Sequence, residues 1–323
     1  MTRNQVLGEL ARVVVGVDGS DSARHAAVWA AHEAEARDVP LTVLLACGAT
    51  GGIPPALGPI AHQSEPGTEG AVFVESVAAL IRKLVPRLPV ETELSPRHPV
   101  ERLAELSGQG MLIVTGTRGH GAIAGTLLGS VSRALAARTR GPLVVVRGPR
   151  AEQDEGPVVL GLAPEPAQGA VQFAFAAAHL HGASLHAVRT LAPGPHPPED
   201  VEMPVLMPAG LGIRSASPPR ARATNTERDH AIERETAKAR LVLQALQRRY
   251  PDVHVEITTI EGEAAEVLTA EGEHARLVVI GAHPHPRHGP LPARPAHVAA
   301  KLLTHCPAPV AVVPDAHDQA PQE

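Results

Sequence analysis

The chain has 323 residues, a formal net charge of -5 with histidine neutral, 44% hydrophobic residues and only 2% aromatics. That length holds two domains of ordinary size with sizeable cores, and the acidic balance argues against a general nucleic-acid binder, which shows a basic footprint. With so few aromatics the core must be Val, Leu, Ala and Ile, and short Val-rich runs favour buried parallel strands.

Residues 1–10 read as a leader with no long apolar core before a cleavage site, so no signal peptide is expected. Arg12 to Val17 is a Val-rich strand that ends in Asp18-Gly19-Ser20-Asp21-Ser22, a turn with N-cap chemistry. A helix is predicted from about Ser22 to Arg37, with Ala26, Ala27, Ala30 and Ala34 on one face. LTVLLAC, ending at Cys47, is the next strand, and the Gly- and Pro-rich stretch 48–70 is a loop over the strand ends. Helices are predicted over 69–85, 99–107 and 130–139, and strands over 90–94, 111–115 and LVVVR after Gly141-Pro142. Strands alternating with helices imply a mostly parallel sheet with helices on both faces.

After a polar linker at 148–156 the pattern restarts. VVLGL (158–162) echoes VVVGV (13–17), SLHAVRT (184–190) echoes LTVLLAC, RLVVIGAHP (276–284) echoes MLIVTGTRG, and PVAVVP (309–314) echoes PLVVVR. Helices are predicted over 167–181, 226–250, 263–273 and 296–304, and VHVEITTI is a further strand. The Pro-rich stretch 192–225 has little periodicity and reads as a long loop. One α/β unit is therefore used twice.

The motif that stands out in the first unit is the stretch after the strand at 111–115. Gly116, Gly119, Gly121, Gly125 and Gly129 precede a helix start at Ser130. Glycines let backbone N–H groups turn outward, and a helix start adds free donors and partial positive charge, so the pattern predicts an anion site with Ser130 as N-cap. It lacks the Gly-Lys-Ser/Thr of the Walker loop and the spacing of the dinucleotide fingerprint. In a parallel sheet ligands bind beyond the carboxyl ends of the strands. Asp18 and the glycine loop both fall on that edge.

Gly-x-x-Gly at 116 and 119, nine residues, then Gly129-Ser130 is a spacing that resembles the nucleotide loop of the universal stress protein family, in its ATP-binding branch. VVVGVDGS at 13–20 resembles that family's first strand. The resemblance implies two tandem Rossmann-like (adenine nucleotide alpha hydrolase-like) α/β domains. Each would be a five-stranded, mostly parallel sheet with flanking helices, over 10–148 and 156–315. It implies that Val17 and Ala46 line an adenine pocket, and that Asp18 sits near the ribose and a bound Mg²⁺. Gly116, Gly119, Gly129 and Ser130 would hold the phosphates of ATP, flanked by Val131 and Ser132. Arg118 and His120 would either reach the terminal phosphate or remain in solvent. Family members commonly pair through their last strands, so PLVVVR and PVAVVP are expected to pair within one chain as a pseudo-dimer, with a whole-chain homodimer still open.

The second unit departs from this pattern. Ala163-Pro164-Glu165 stand where the first has Asp18-Gly19-Ser20, Pro284 replaces Gly119, and Ala296-His297 replace Gly129-Ser130. Proline offers no N–H to a phosphate, so this copy is expected to have a defunct nucleotide site. His283, His285 and His288, with His297 and His305 beyond, could bind zinc or nickel or form a solvated His-rich loop. Cys47 and Cys306 lie in different halves and suggest no disulfide framework, and no apolar run reaches the length of a membrane span. Both fit a reducing cytoplasm.

No Ser-His-Asp order, paired carboxylates or phosphate-site lysine stands out, so binding with at most slow hydrolysis is expected. The leading expectation is an ATP-binding stress-response regulator with an unknown protein partner. The alternatives are a nucleotide-independent interaction module and a slow ATP hydrolase.

Overall fold

The computed structural model describes residues 10–47, 68–117, 128–148, 155–191, 225–282 and 297–315. Residues 1–9, 48–67, 192–224, the glycine-loop residues Arg118, Gly119 and His120, and the histidines His283, His285 and His288 lie outside the described residues.

The first half runs β1 (Arg12–Gly16), α1 (Asp21–Arg37), β2 (Leu41–Ala46), α2 (Thr68–Leu84), β3 (Val90–Ser95), α3 (Pro99–Ser107), β4 (Met111–Gly116), α4 (Ser130–Ala136) and β5 (Leu143–Val146). The second runs β6 (Val158–Leu162), α5 (Gln168–Leu180), β7 (Leu185–Leu191), α6 (Asn225–Arg249), β8 (Val255–Glu261), α7 (Ala264–Glu271), β9 (Leu277–Ala282), α8 (His297–His305) and β10 (Val310–Pro314).

The strands join in one sheet of order β3-β2-β1-β4-β5-β10-β9-β6-β7-β8. Every pairing within a half is parallel, and β5 and β10 pair antiparallel where the halves meet. That junction is dry: Val145, Val144 and Leu143 lie opposite Val310, Ala311 and Val312, all buried.

Strand alternation sends neighbouring residues to opposite faces. Val13 and Val15 enter a core with α1, α2, α5 and α6, whereas Val14 enters a core with α3, α4, α7 and α8. Both faces are covered, which is why the central strands read as unbroken apolar runs. Both cores cross the β5–β10 seam and draw on residues of both halves.

Helix α1 begins where Ser20 accepts a hydrogen bond from the Ala23 N–H at 3.2 Å, with Asp21 in the first turn to suit the helix dipole. It ends at Asp38 in the left-handed region, φ 56°. Its buried face is alanine at 23, 26, 27, 30, 31 and 34, so the helix lies close on the sheet. Helix α4 corrects two expectations. Its N-cap is Gly129 in extended conformation, with Ser130 the first helical residue. It also stops at Ala136, because Arg138 and Thr139 N–H both turn back to Leu135 O, at 2.8 and 2.7 Å.

A buried ion cluster crosses between the halves where α1 meets the end of α5. Glu33 Oε1 accepts from Arg37 Nε at 2.7 Å, and Glu33 Oε2 lies 2.9 Å from Nε2 of His181 in the second half. Arg37 Nη2 lies 2.6 Å from the same Oε1 but off the line of a hydrogen bond, so the pair has one directed bond and one ionic contact. The Arg37 guanidinium lies over the Phe173 ring of α5, 5.2 Å from its centre.

Candidate functional site

Strand order puts the expected first-half residues on one edge. Strand β1 lies between β2 and β4, with Gly16 opposite Leu44 on one side and Thr115 on the other. Val17 and Asp18 therefore emerge between Ala46, at the end of β2, and Gly116, at the end of β4. Val17 is buried and continues the strand pairing by donating its N–H to Leu44 O at 2.9 Å. Ala46 is half-buried.

Asp18 is half-buried and shapes the turn it begins. Its Oδ1 accepts the Ser20 N–H at 3.0 Å, across Gly19 at φ 84°. The left-handed conformation at the centre of this Asx turn is one that glycine adopts without steric cost. The helix cap is Ser20, so the Asp18 carboxylate bends the chain and leads it into the helix.

Gly116 is a glycine for a packing reason. A Cβ there would stand 2.4 Å from Ser22 Oγ and 2.7 Å from the backbone C and O of Ser22. The first turn of α1 thus presses directly on the end of β4. The next residue continues the contact, with Thr117 Oγ1 3.3 Å from Ser22 Oγ. The turn carrying Asp18 leads into a helix start that packs against Gly116 and Thr117, where the glycine loop begins.

The two ends of the glycine loop meet as well. Gly129 N–H donates to Thr117 O at 2.6 Å, and Ser132 Oγ donates to Gly116 O at 2.7 Å. Ser130 is exposed at the first position of α4 and Val131 is half-buried. Ser132, expected to flank the phosphates, is buried with its hydroxyl turned inward to Gly116. The structure thus brings together Val17, Asp18, Ala46, Gly116, Gly129, Ser130, Val131 and Ser132, while Arg118 and Gly119 lie outside the described residues. Reasoning from the sequence missed Ser22, Thr115 and Thr117. The only signal for them was position, next to a turn and a glycine.

Cys47 follows Ala46 and donates its N–H to Ser95 O at 3.0 Å. Partial burial raises its thiol pKa above the ordinary value, which suits packing rather than nucleophilic attack.

The second half offers the same edge with different chemistry. Register makes Gly281 the counterpart of Gly116, Ala282 of Thr117 and Val313 of Val146. At the place of Asp18 stands Ala163, with no carboxylate. At the start of α8 an ion cluster takes the space: Glu263 accepts from Lys301 Nζ at 2.7 and 2.6 Å and lies 3.3 Å from His297 Nε2. Lys301 chiefly, with His297, holds the Glu263 carboxyl below the usual carboxylate range. Among the described residues no group of three or more His, Cys, Asp or Glu is placed to hold a metal ion. Nor is any described helix long and apolar enough to cross a membrane.

Comparison with known proteins agrees with the architecture. The model of the universal stress protein family matches residues 9–147 and again 156–314. A universal stress protein of Mycobacterium tuberculosis (strain ATCC 25618 / H37Rv) is 33% identical over 279 residues, covering 84% of this chain and 86% of its own. One from Mycolicibacterium smegmatis is 30% identical over 281 residues, with 84% and 86% covered. Among solved structures, a universal stress protein from Archaeoglobus fulgidus superposes with a TM-score of 0.60 at 13% identity, covering 95% of this chain and 97% of that one. The double family match and relatives spanning both halves lead to one conclusion: the chain belongs to the universal stress protein family.

Proposed function

We propose that the first half binds an adenine nucleotide, ATP with Mg²⁺ in the leading case, and that the protein acts as a stress-response regulator whose state follows nucleotide occupancy. The observation that carries this reading is the packing of the Asp18 turn against the base of the glycine loop, through Ser22 on Gly116 and Thr117. The Asp18 carboxylate and the exposed start of α4 at Ser130 then lie on the same edge beside Val17 and Ala46. In this reading Asp18 would serve the ribose and the metal, Ser130 the phosphates beside the closed Gly116–Gly129 junction, and Val17 and Ala46 the base. Bound Mg²⁺ would offset phosphate charge.

The second half is a silent copy in this reading. Ala163 brings no carboxylate, and His297 stands where the first half has Ser130. The activity is binding rather than fast turnover. Phosphoryl transfer needs a positioned base and charge on the transferred group. Among the described site residues the one ionisable side chain is Asp18, and its Oδ1 accepts the Ser20 N–H of its own turn.

Calorimetric titration with ATP and Mg²⁺ tests this, beside Asp18→Ala and Ser130→Ala. One site per chain, weakened in both variants, is the expected result. Two sites would overturn the silent second copy. An absence of heat and of thermal shift with ATP, AMP and cyclic AMP would instead indicate an interaction module indifferent to nucleotide.

A further inference from the structure

The hydroxyls at the base of the glycine loop form a set that the second half has lost. Strand register pairs Thr115 with Ile280 and Thr117 with Ala282. Counting back from β5 and β10 pairs Ser132 with Ala299, and the buried positions of α4 and α8 fall in step with that count. Gly116 meanwhile keeps its glycine, as Gly281.

In the first half the three residues are buried, and Thr115 and Ser132 are linked. Ser132 Oγ gives its proton to Gly116 O at 2.7 Å, so Thr115 Oγ1, 3.3 Å away, is the donor to Ser132 Oγ. Thr117 is tied on three sides: its N–H donates to Val146 O at 3.1 Å, its carbonyl accepts from Gly129 N–H at 2.6 Å, and its hydroxyl meets Ser22. The last carbonyl of β4 is thereby pinned to the first turn of α4, and the loop's ends are closed at two points.

Packing alone does not call for this arrangement. The second half fills the same places with Ile280 and Ala299, both buried, and keeps the same strand pairing. A buried polar network adds little net stability over apolar side chains of similar shape, and its yield is a defined geometry.

We propose that Ser132 and Thr115 are positioning residues. They hold the ends of the glycine loop at the separation that the polyphosphate part of a nucleotide requires, and their loss helps silence the second half. This rests on the nucleotide reading of the first half and adds that phosphate affinity, not base affinity, depends on residues that never touch the ligand.

The test titrates the full chain with Mg²⁺–ATP and with AMP, comparing the unaltered protein with Ser132→Ala, Thr115→Val and the conservative Thr115→Ser. The expected result is an ATP-to-AMP affinity ratio lowered about tenfold in Ser132→Ala and Thr115→Val and restored in Thr115→Ser. If Ser132→Ala fails to fold, Thr115→Val against Thr115→Ser carries the comparison. An unchanged ratio in the folded variants, or equal losses for ATP and AMP, overturns the positioning role. No binding of ATP to the unaltered protein overturns the nucleotide reading itself.

Discussion

A single carboxylate, Glu33, is gripped from both halves of the molecule. Counting along α1 and α5 from their following strands, His181 occupies the place in the second half that Arg37 occupies in the first. Two equivalent helix ends thus converge on one acid. Burial on its own would raise the Glu33 pKa, but Arg37 and then His181 outweigh it and hold the carboxyl down, at about 2. A folded-state value below the ordinary 4.5 means that the ionised carboxylate stabilises the fold above that pH, and that this contribution fades as pH falls toward 2. The gap corresponds to about 3 kcal/mol. Glu33→Gln leaves Arg37 buried without its counter-charge and should cost about 3–5 kcal/mol at neutral pH. Urea unfolding of both proteins across pH checks this. The difference should shrink as pH falls from 4.5 to 2. A difference independent of pH over that window would show that lost packing, not charge, causes the effect.

At the scale of elements, the order and type of helices and strands were legible because alternation of Val-rich runs with amphipathic stretches has few other solutions. The repeat was legible for the same reason, and it exposed the lost Asp18 counterpart. The base of the loop was not legible. The hydroxyls of Ser22, Thr115 and Thr117 carry no periodic signal, and their use depends on how closely α1 approaches β4. Ser130 was read as a cap because serine favours that position, yet Gly129 already supplies the extended conformation a cap needs.

Gly116 shows the same limit. The motif suggests a backbone free to meet phosphate, while the neighbouring atoms show that α1 leaves no room for a side chain. Gly116→Ala should therefore destabilise the fold by about 1–3 kcal/mol, as overpacking does. Ser22→Ala should not rescue it, because the backbone C and O of Ser22 remain 2.7 Å from the new methyl. Thermal melts of the single and double variants decide the point. Full rescue by Ser22→Ala would place the conflict with the hydroxyl alone.

At the scale of the molecule, the β5–β10 seam turns two copies of a unit into one body. Chains of this length often unfold domain by domain. Here separating the halves would expose Leu143, Val144, Val145, Val310, Ala311 and Val312 and open two cores that each draw on both halves. It would also strand Glu33 from His181 and Arg147 from the Thr304 carbonyl to which it donates. The half that stayed folded would keep an unpaired apolar edge strand, a state that sheets avoid. We therefore expect a single cooperative transition. The chain itself supplies the probe, since its one tryptophan is Trp29 on α1, in the first half. Trp29 fluorescence and far-UV circular dichroism should give the same denaturation midpoint. Replacing Ala311 by aspartate, which buries a charge at the centre of the seam, should drive the two midpoints apart. If they already differ in the unaltered protein, the halves fold independently and the seam is a docking surface rather than a shared core.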